Sequence, residues 1–392
     1  MPMIGPGTPW NGAATVADAL RVAAGRGFPA GLFSTDGLAR LEAAAGQLPG
    51  PLTSTFGFEV ALDQAAGGAD LAVAVTALHG GREMLAGLSG PGSPLPRSDE
   101  PAWAAVGALC RAWALPGSTL EAELHNVALE FDLPDGQGGL PPPNVFVGAR
   151  TGILPPRPAH PGQLELPVVG SEAWLLDTAL PLLGRELSPG RRDALVRCFE
   201  ALPAGSRAFQ VGVMLARPVE ALRVCVLGLD YEKVAPFLQR IGWPGDLEEL
   251  HVRLGALAAN AESVILDVDV ADAVLPSLGL ECFAAEDGDQ DLVQRWSRFL
   301  DPLVRAGLCR PERSRALLEW PLMIRESEAP SWPRHLREAS EFVGEAVEGT
   351  LVRALNHVKL GWRPGMLQAK GYLRVQHSWR PVRRPAAAEA AD

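Results

Sequence analysis

The sequence predicts an α+β fold: a ten-stranded antiparallel β-barrel surrounded by helices, built from five helix–helix–strand–strand units. Three observations predict it. Short runs rich in Val, Leu, Phe and Ile, bounded by Gly or Pro, come in five adjacent pairs. Helical patterns lie between the pairs. Within the strands an apolar face alternates with one that mixes small and charged groups. A flat ten-stranded sheet would leave two open edges, and closing it removes both. A closed sheet of this size would carry its polar faces around a solvent-filled lumen and its helices on the outside. That differs from the parallel eight-stranded barrel, which has one helix per strand and a packed interior.

In chain order, helical patterns over 15–24 and 38–48 precede the first strand pair, 56–63 and 70–77. Here Phe56, Phe58, Val60 and Leu62 share a face opposite Gly57, Glu59, Ala61 and Asp63. A helix over 101–115 precedes the second pair, 124–132 and 144–148, which is joined by a Gly/Pro-rich loop. Helices 173–183 and 189–202 precede the third, 209–215 and 222–228, with Ser188 as N-cap and Pro189 at the first helical position. Helices 231–241 and 247–259 precede the fourth, 264–270 and 278–283, turned around Pro276. Helices 289–306, 311–318 and 335–355 precede the fifth, 357–362 and 370–377, turned at Arg363, Pro364 and Gly365. The whole reads as one domain over 1–379, followed by a Pro/Ala/Glu-rich disordered tail, 380–392.

Composition narrows the function. The 392 residues are 47% hydrophobic and 21% charged, an ordinary globular balance. Lys and Arg number 35 against 46 Asp and Glu, for a formal charge of -11. Such a field repels phosphate, which argues against bulk binding to nucleic acid or to an anionic membrane. No apolar run of membrane-spanning length and no secretory signal is legible. Cys110, Cys198, Cys225, Cys282 and Cys309 are odd in number and scattered without a CxxC pair. That argues against a disulfide framework or thiolate zinc site and for a reducing cytoplasm. The glycine-rich stretches lack the context of phosphate loops.

The polar face carries the candidate chemistry. Lys359, Lys370 and Arg374 share a face of the last hairpin, and Arg223 lies on the sixth strand. Cations so close repel unless an anion or carboxylates neutralise them. Facing them are seven acids: Glu59, Asp63, Glu130, Asp132, Asp267, Asp269 and Glu281. Closure would set the last hairpin against the first, so that Glu59 pairs with Lys370 directly. Asp267 and Asp269, with Glu281 opposite, form a set that can take Mg²⁺ through oxygen. Together with Glu130 they also form an acidic wall suited to a cationic peptide or amine. No histidine spacing points to a metal.

The order of elements resembles the ABBA prenyltransferase barrel, a family that includes aromatic prenyltransferases and the peptide prenyltransferases of cyanobactin pathways. The run Phe56, Gly57, Phe58, Glu59 is similar to that family's first strand, which carries a carboxylate near the aromatic acceptor. The run Lys370, Gly371, Tyr372, Leu373, Arg374 is similar to its Lys-x-Tyr strands, whose cations and tyrosines enclose the diphosphate. The resemblance spans most of residues 14–379. It implies an isoprenoid moved from a prenyl diphosphate to an aromatic or peptide acceptor. Glu59 would act as the catalytic carboxylate, and Arg223, Lys359, Lys370, Tyr372 and Arg374 would bind the diphosphate. Glu130, Asp267, Asp269 and Glu281 would line the substrate. Two other readings stay open: a non-catalytic accessory protein of peptide natural-product maturation whose acidic lumen holds a basic segment, and an enzyme of other chemistry on the same barrel.

Overall fold

The computed structural model describes residues 14–25, 27–78, 80–87, 100–136, 139–153, 172–284 and 291–382. Within them eleven strands join one sheet. They are β1 (Thr55–Ala61), β2 (Asp70–Thr76), β3 (Leu124–Phe131), β4 (Asn144–Ile153), β5 (Arg207–Val213), β6 (Leu222–Leu229), β7 (Ser263–Val270), β8 (Val274–Phe283), β9 (Leu322–Arg325), β10 (Val347–Arg363) and β11 (Met366–Pro381). Each of β1 to β7 pairs antiparallel with the next, β8 pairs with β10, and β10 with β11. Pairing of β11 with β1 closes a ten-stranded barrel, with Glu59 opposite Tyr372 and Ala61 opposite Lys370. β9 continues the line of β8 along the protruding half of β10, where Leu322 to Arg325 pair with Arg353 to Thr350.

Among the described residues, five of the helices begin at a side-chain cap. In α1 (Val16–Ala23), Thr15 and Asp18 form a reciprocal capping box. α2 (Thr35–Ala45) is capped by Ser34. Three helices, α3 (Gly81–Leu85), α4 (Pro101–Ala114) and α5 (Thr119–Glu123), precede β3. A π-turn, Leu175–Ala179, runs into α6 (Leu180–Leu182) and then α7 (Pro189–Glu200), where Ser188 Oγ accepts from the Arg191 amide at 3.1 Å. α8 (Tyr231–Arg240) and α9 (Leu247–Ala258) precede β7. In α10 (Leu292–Arg305), Trp296, Phe299, Leu300 and Leu303 recur at helical spacing and are buried. α11 (Pro311–Leu318) and α12 (Arg334–Val343) complete the ring.

The main core lies between this ring and the outer barrel face, where Phe58, Val60, Leu129, Val147, Val224, Leu266, Leu280, Leu360 and Leu373 are all buried. Trp113, Trp296, Trp320 and Trp362 anchor it. Residues of opposite parity form a second, smaller cluster on the inner face: Phe146, Met214, Cys225 and Ile265, with Phe209, Leu227 and Phe283 against them. The expected solvent-filled lumen is therefore filled with apolar side chains along part of the β3 to β8 wall.

Several boundaries differ from expectation. The helix expected over 335–355 ends at Val343, and the chain from Val347 is strand. Gly344 at φ 98° ends the helix, and the β-branched Val347, Thr350 and Val352 suit a strand better than a helix. The fourth hairpin turns at 271–273 and not at Pro276, which lies within β8 and accepts a 3.2 Å hydrogen bond from the Trp243 indole. β11 continues through Pro381, into the first residues of the expected tail; residues 383–392 lie outside the described residues, as do 289 and 290 at the expected start of α10. No helix among the described residues is long and apolar enough to cross a membrane.

Candidate functional site

The five hairpin turns gather at one end of the barrel, and the helical crossovers at the other. Near the turn end, β1, β11, β10, β8, β7 and β6 send charged side chains inward, because the period-two alternation that buries their apolar face outside leaves the polar face inside. Three ion pairs result. Lys370 Nζ donates to Glu59 Oε1 across the β1–β11 seam, and the Tyr372 hydroxyl donates to Glu59 Oε2. Lys359 Nζ donates to Asp267 Oδ2 and lies 3.6 Å from Glu281 Oε1. Arg223 Nε donates to Asp269 Oδ1 at 2.9 Å, while Ser277 Oγ donates to Asp269 Oδ2 at 3.0 Å. The expected Glu59–Lys370 pair is thus formed. Arg374 stands opposite Gly57 on β1 and Ala354 on β10.

Two of the seven acids lie at the rim. Asp63 is exposed beyond the end of β1. Asp132 takes a two-pronged bond from Arg217, 2.7 Å to Nε and 2.5 Å to Nη2, and a 3.2 Å bond from Asn144. Burial pushes Glu130 up to about 7, helped by the charge of Glu59, and pushes Glu281 up to about 8, helped by Asp267. Burial would also raise Glu59, but the charge of Lys370 and the bonds from Lys370 and Tyr372 hold it below the usual carboxylate range. The interior is therefore not the net negative chamber that a count of seven acids against four cations suggests. Glu59, Asp267 and Asp269 each face a cation, and burial disfavours ionisation of Glu130 and Glu281.

His357 sits among these groups with its ring stacked on Tyr372, centroids 4.2 Å apart, and beside Phe283 at 5.2 Å. Burial, then the charge of Lys359, pushes its imidazole far below the usual range, so it is neutral. It is no further cation, and it stands 3.7 Å from Glu281.

A cavity of about 390 Å³ opens at the turn end among Glu59, Asp63, Asp70, Asp135, Gln368 and Lys370. Asp70 lies on β2 opposite Glu59 and accepts from the Leu133 amide at 2.8 Å; burial raises it to about 6. Sequence reading missed Asp70, Asp135 and Arg217. Asp70 follows directly from strand register, whereas the other two belong to turns and find partners far off in sequence, Arg217 at Asp132 and Asp135 at Arg40.

Asp267 and Asp269 engage different cations and do not converge with Glu281 on one point. Among the described residues no group of three His, Cys, Asp or Glu is placed to hold a metal ion. The expected Mg²⁺ set is thus not assembled, because Lys359 and Arg223 supply the positive charge there. All five cysteines are free and buried, and burial pushes Cys110, Cys198 and Cys309 up to about 12.

No family model matches the chain, and no curated protein matches its sequence. Among solved structures, 6-dimethylallyl tryptophan synthase is similar over 91% of this chain and 94% of that one, with 14% identity and a TM-score of 0.43. The barrel assignment rests on the strand pairing itself, which closes ten antiparallel strands inside a ring of helices.

Proposed function

We propose that this chain is a prenyl-transferring enzyme that moves an isoprenoid from a prenyl diphosphate to an aromatic or peptide acceptor within the barrel. The observation that carries the reading is the Glu59–Lys370–Tyr372 constellation, a carboxylate held by a cation and a tyrosine across the seam, at the wall of a cavity that opens outward.

In the transfer, the C1–O bond of the donor breaks and its electron pair leaves with the diphosphate. Lys370, the lysine of the pairs most exposed to the cavity at 40%, meets the diphosphate first. Arg223, Lys359 and Arg374 complete the cationic side. Tyr372 offers the allylic cation the π face opposite the one that His357 covers. When the diphosphate draws Lys370 away, Glu59 loses one partner and is free to hold the N–H or O–H of the acceptor. The acceptor then attacks C1, and its displaced proton passes to a carboxylate of the lumen.

Incubation with prenyl diphosphates and a panel of aromatic and peptide acceptors, followed by mass spectrometry, tests this. A product carrying the added isoprenoid is expected, and Lys370→Ala should abolish turnover. No prenylated product across the panel would end the reading. The acidic rim of Asp63, Asp70 and Asp135 favours one other reading, an accessory protein of peptide natural-product maturation that binds a basic segment. In that case a Lys/Arg-rich peptide, and not diphosphate, should raise the melting temperature.

A further inference from the structure

Both oxygens of Glu59 are engaged, Oε1 by Lys370 and Oε2 by Tyr372. Accepting a proton there would break charge-assisted bonds and leave Lys370 unneutralised, so Glu59 is a poor base for as long as those partners hold it. Even after Lys370 turns to a diphosphate, the Tyr372 bond and the acceptor occupy the carboxylate.

Glu281 has the opposite situation. It lies on β8 with 15% of its side chain exposed, and Lys359 Nζ and His357 Nε2 stand 3.6 and 3.7 Å from its two oxygens, beyond hydrogen-bond range. His357 Nδ1 accepts from the Asn356 side-chain amide at 3.0 Å, which places the ring proton on Nε2, the nitrogen facing Glu281. That Nε2 is buried and makes no hydrogen bond. The His357 ring is fixed between Tyr372 and Phe283, so its N–H is aimed, not free to rotate. A carboxyl group with both oxygens open, and a fixed donor just out of reach, is built to gain and lose a proton.

We propose that Glu281, positioned by His357, takes the proton that the acceptor loses, while Glu59 only holds the acceptor. This rests on the transferase reading. The bookkeeping closes without a further reactant: the donor C1–O pair leaves as diphosphate, an acceptor electron pair forms the new bond to C1, and the acceptor proton converts the Glu281 carboxylate to the acid. Solvent then removes that proton. The groups facing Glu281 are Asp267 on β7, Lys359 and His357 on β10, Arg223 and Cys225 on β6, Glu130 on β3 and Tyr372 on β11. The burial that lifts this carboxyl to about 8 also makes it a stronger base than an exposed glutamate.

The test combines rate profiles with direct titration. Prenyl transfer by the full chain, followed by mass spectrometry from pH 6 to 9.5, should rise with pH and level off near 8. Glu281→Gln should lower kcat by about 100-fold or more, remove that inflection and leave the KM for the donor little changed. His357→Gln should move the inflection, whereas a purely structural histidine would change only stability. Glu59→Gln should raise the acceptor KM and keep the inflection. In ¹³C-glutamate-labelled protein, the carboxyl signal titrating near 8 should vanish in Glu281→Gln and persist in Glu130→Gln. An active wild type whose profile survives Glu281→Gln, or loses its inflection with Glu59→Gln, overturns the proposal. The absence of an alkaline glutamate titration does so without any assay of activity. A wild type that forms no product at any pH overturns the transferase reading itself.

Discussion

Replacing Lys359 by Met keeps most of the aliphatic stem and removes the charge. Asp267 is only 1% exposed at its side chain, and its Oδ1 already has no hydrogen-bond partner. Without Lys359, Oδ2 is bare as well, and a carboxylate is stranded in the wall. Removing one member of a buried pair typically costs about 3–5 kcal/mol, most of it the desolvation of the survivor. The expected loss for Lys359→Met is about 4 kcal/mol, read as a lower guanidinium midpoint at pH 7 with an unchanged m-value. Asp267→Asn should cost less, because removing the Asp267 charge, which helps hold Glu281 up, favours ionisation of Glu281 at 3.6 Å as a new partner for Lys359. The double variant Lys359→Met, Asp267→Asn removes both charges and should recover all but about 2 kcal/mol of the loss. A Lys359→Met protein within about 1 kcal/mol of wild type, or a double variant no better than the single one, would refute the stranded-charge argument.

Three further outcomes follow from the same geometry. Glu130 and Glu281 have folded values raised to about 7 and about 8 above the ordinary 4.5, so the folded state binds more protons than the unfolded one between those limits. Their contribution is full below 4.5 and is lost as pH rises to 7 and 8; the melting temperature should fall between about pH 5 and about pH 8 and level off above, and Glu130→Gln with Glu281→Gln should flatten that slope. Arg313, 1% exposed, donates to the carbonyls of Gln64 at 3.1 Å, Ala65 at 2.8 Å and Leu32. Arg313→Met should cost about 3 kcal/mol through orphaned carbonyls and hasten proteolysis of the β1–β2 turn. A Cβ at Gly212 would sit 2.5 Å from the Phe146 ring, so Gly212→Ala should destabilise by about 1–3 kcal/mol in thermal unfolding.

The barrel was legible because period-two alternation survives in nearly every strand, and because ten such strands without closure would leave two edges. Lys370 and Glu59 were legible as partners for the same reason: closure alone brings the first and last hairpins together. The sequence was silent on β9, whose four residues Leu322, Met323, Ile324 and Arg325 are too few to show a period. The charge state of the lumen was misjudged. Counting acids treats each as ionised, whereas burial raises Glu130 to about 7 and Glu281 to about 8, so neither is fully ionised at neutral pH, and the turn residue Arg217 neutralises Asp132. The inner apolar cluster was hidden too, since Phe146, Ile265 and Phe283 sit beside small or charged strand neighbours, Gly148, Asp267 and Glu281.

The seam has a temporal consequence. Glu59 is separated from Lys370 by 311 positions and from Tyr372 by 313. On a ribosome, the first hairpin emerges long before its closing neighbour; β1 waits through most of synthesis, and β8 until β10 is made, with bare flanks that invite strand exchange between nascent chains. Contacts so remote in sequence also make assembly slow. The seam therefore forms all at once, when the last strand zips into place, and a chain interrupted before residue 370 is a helix-decorated open sheet in which Glu59 has neither Lys370 nor Tyr372 beside it.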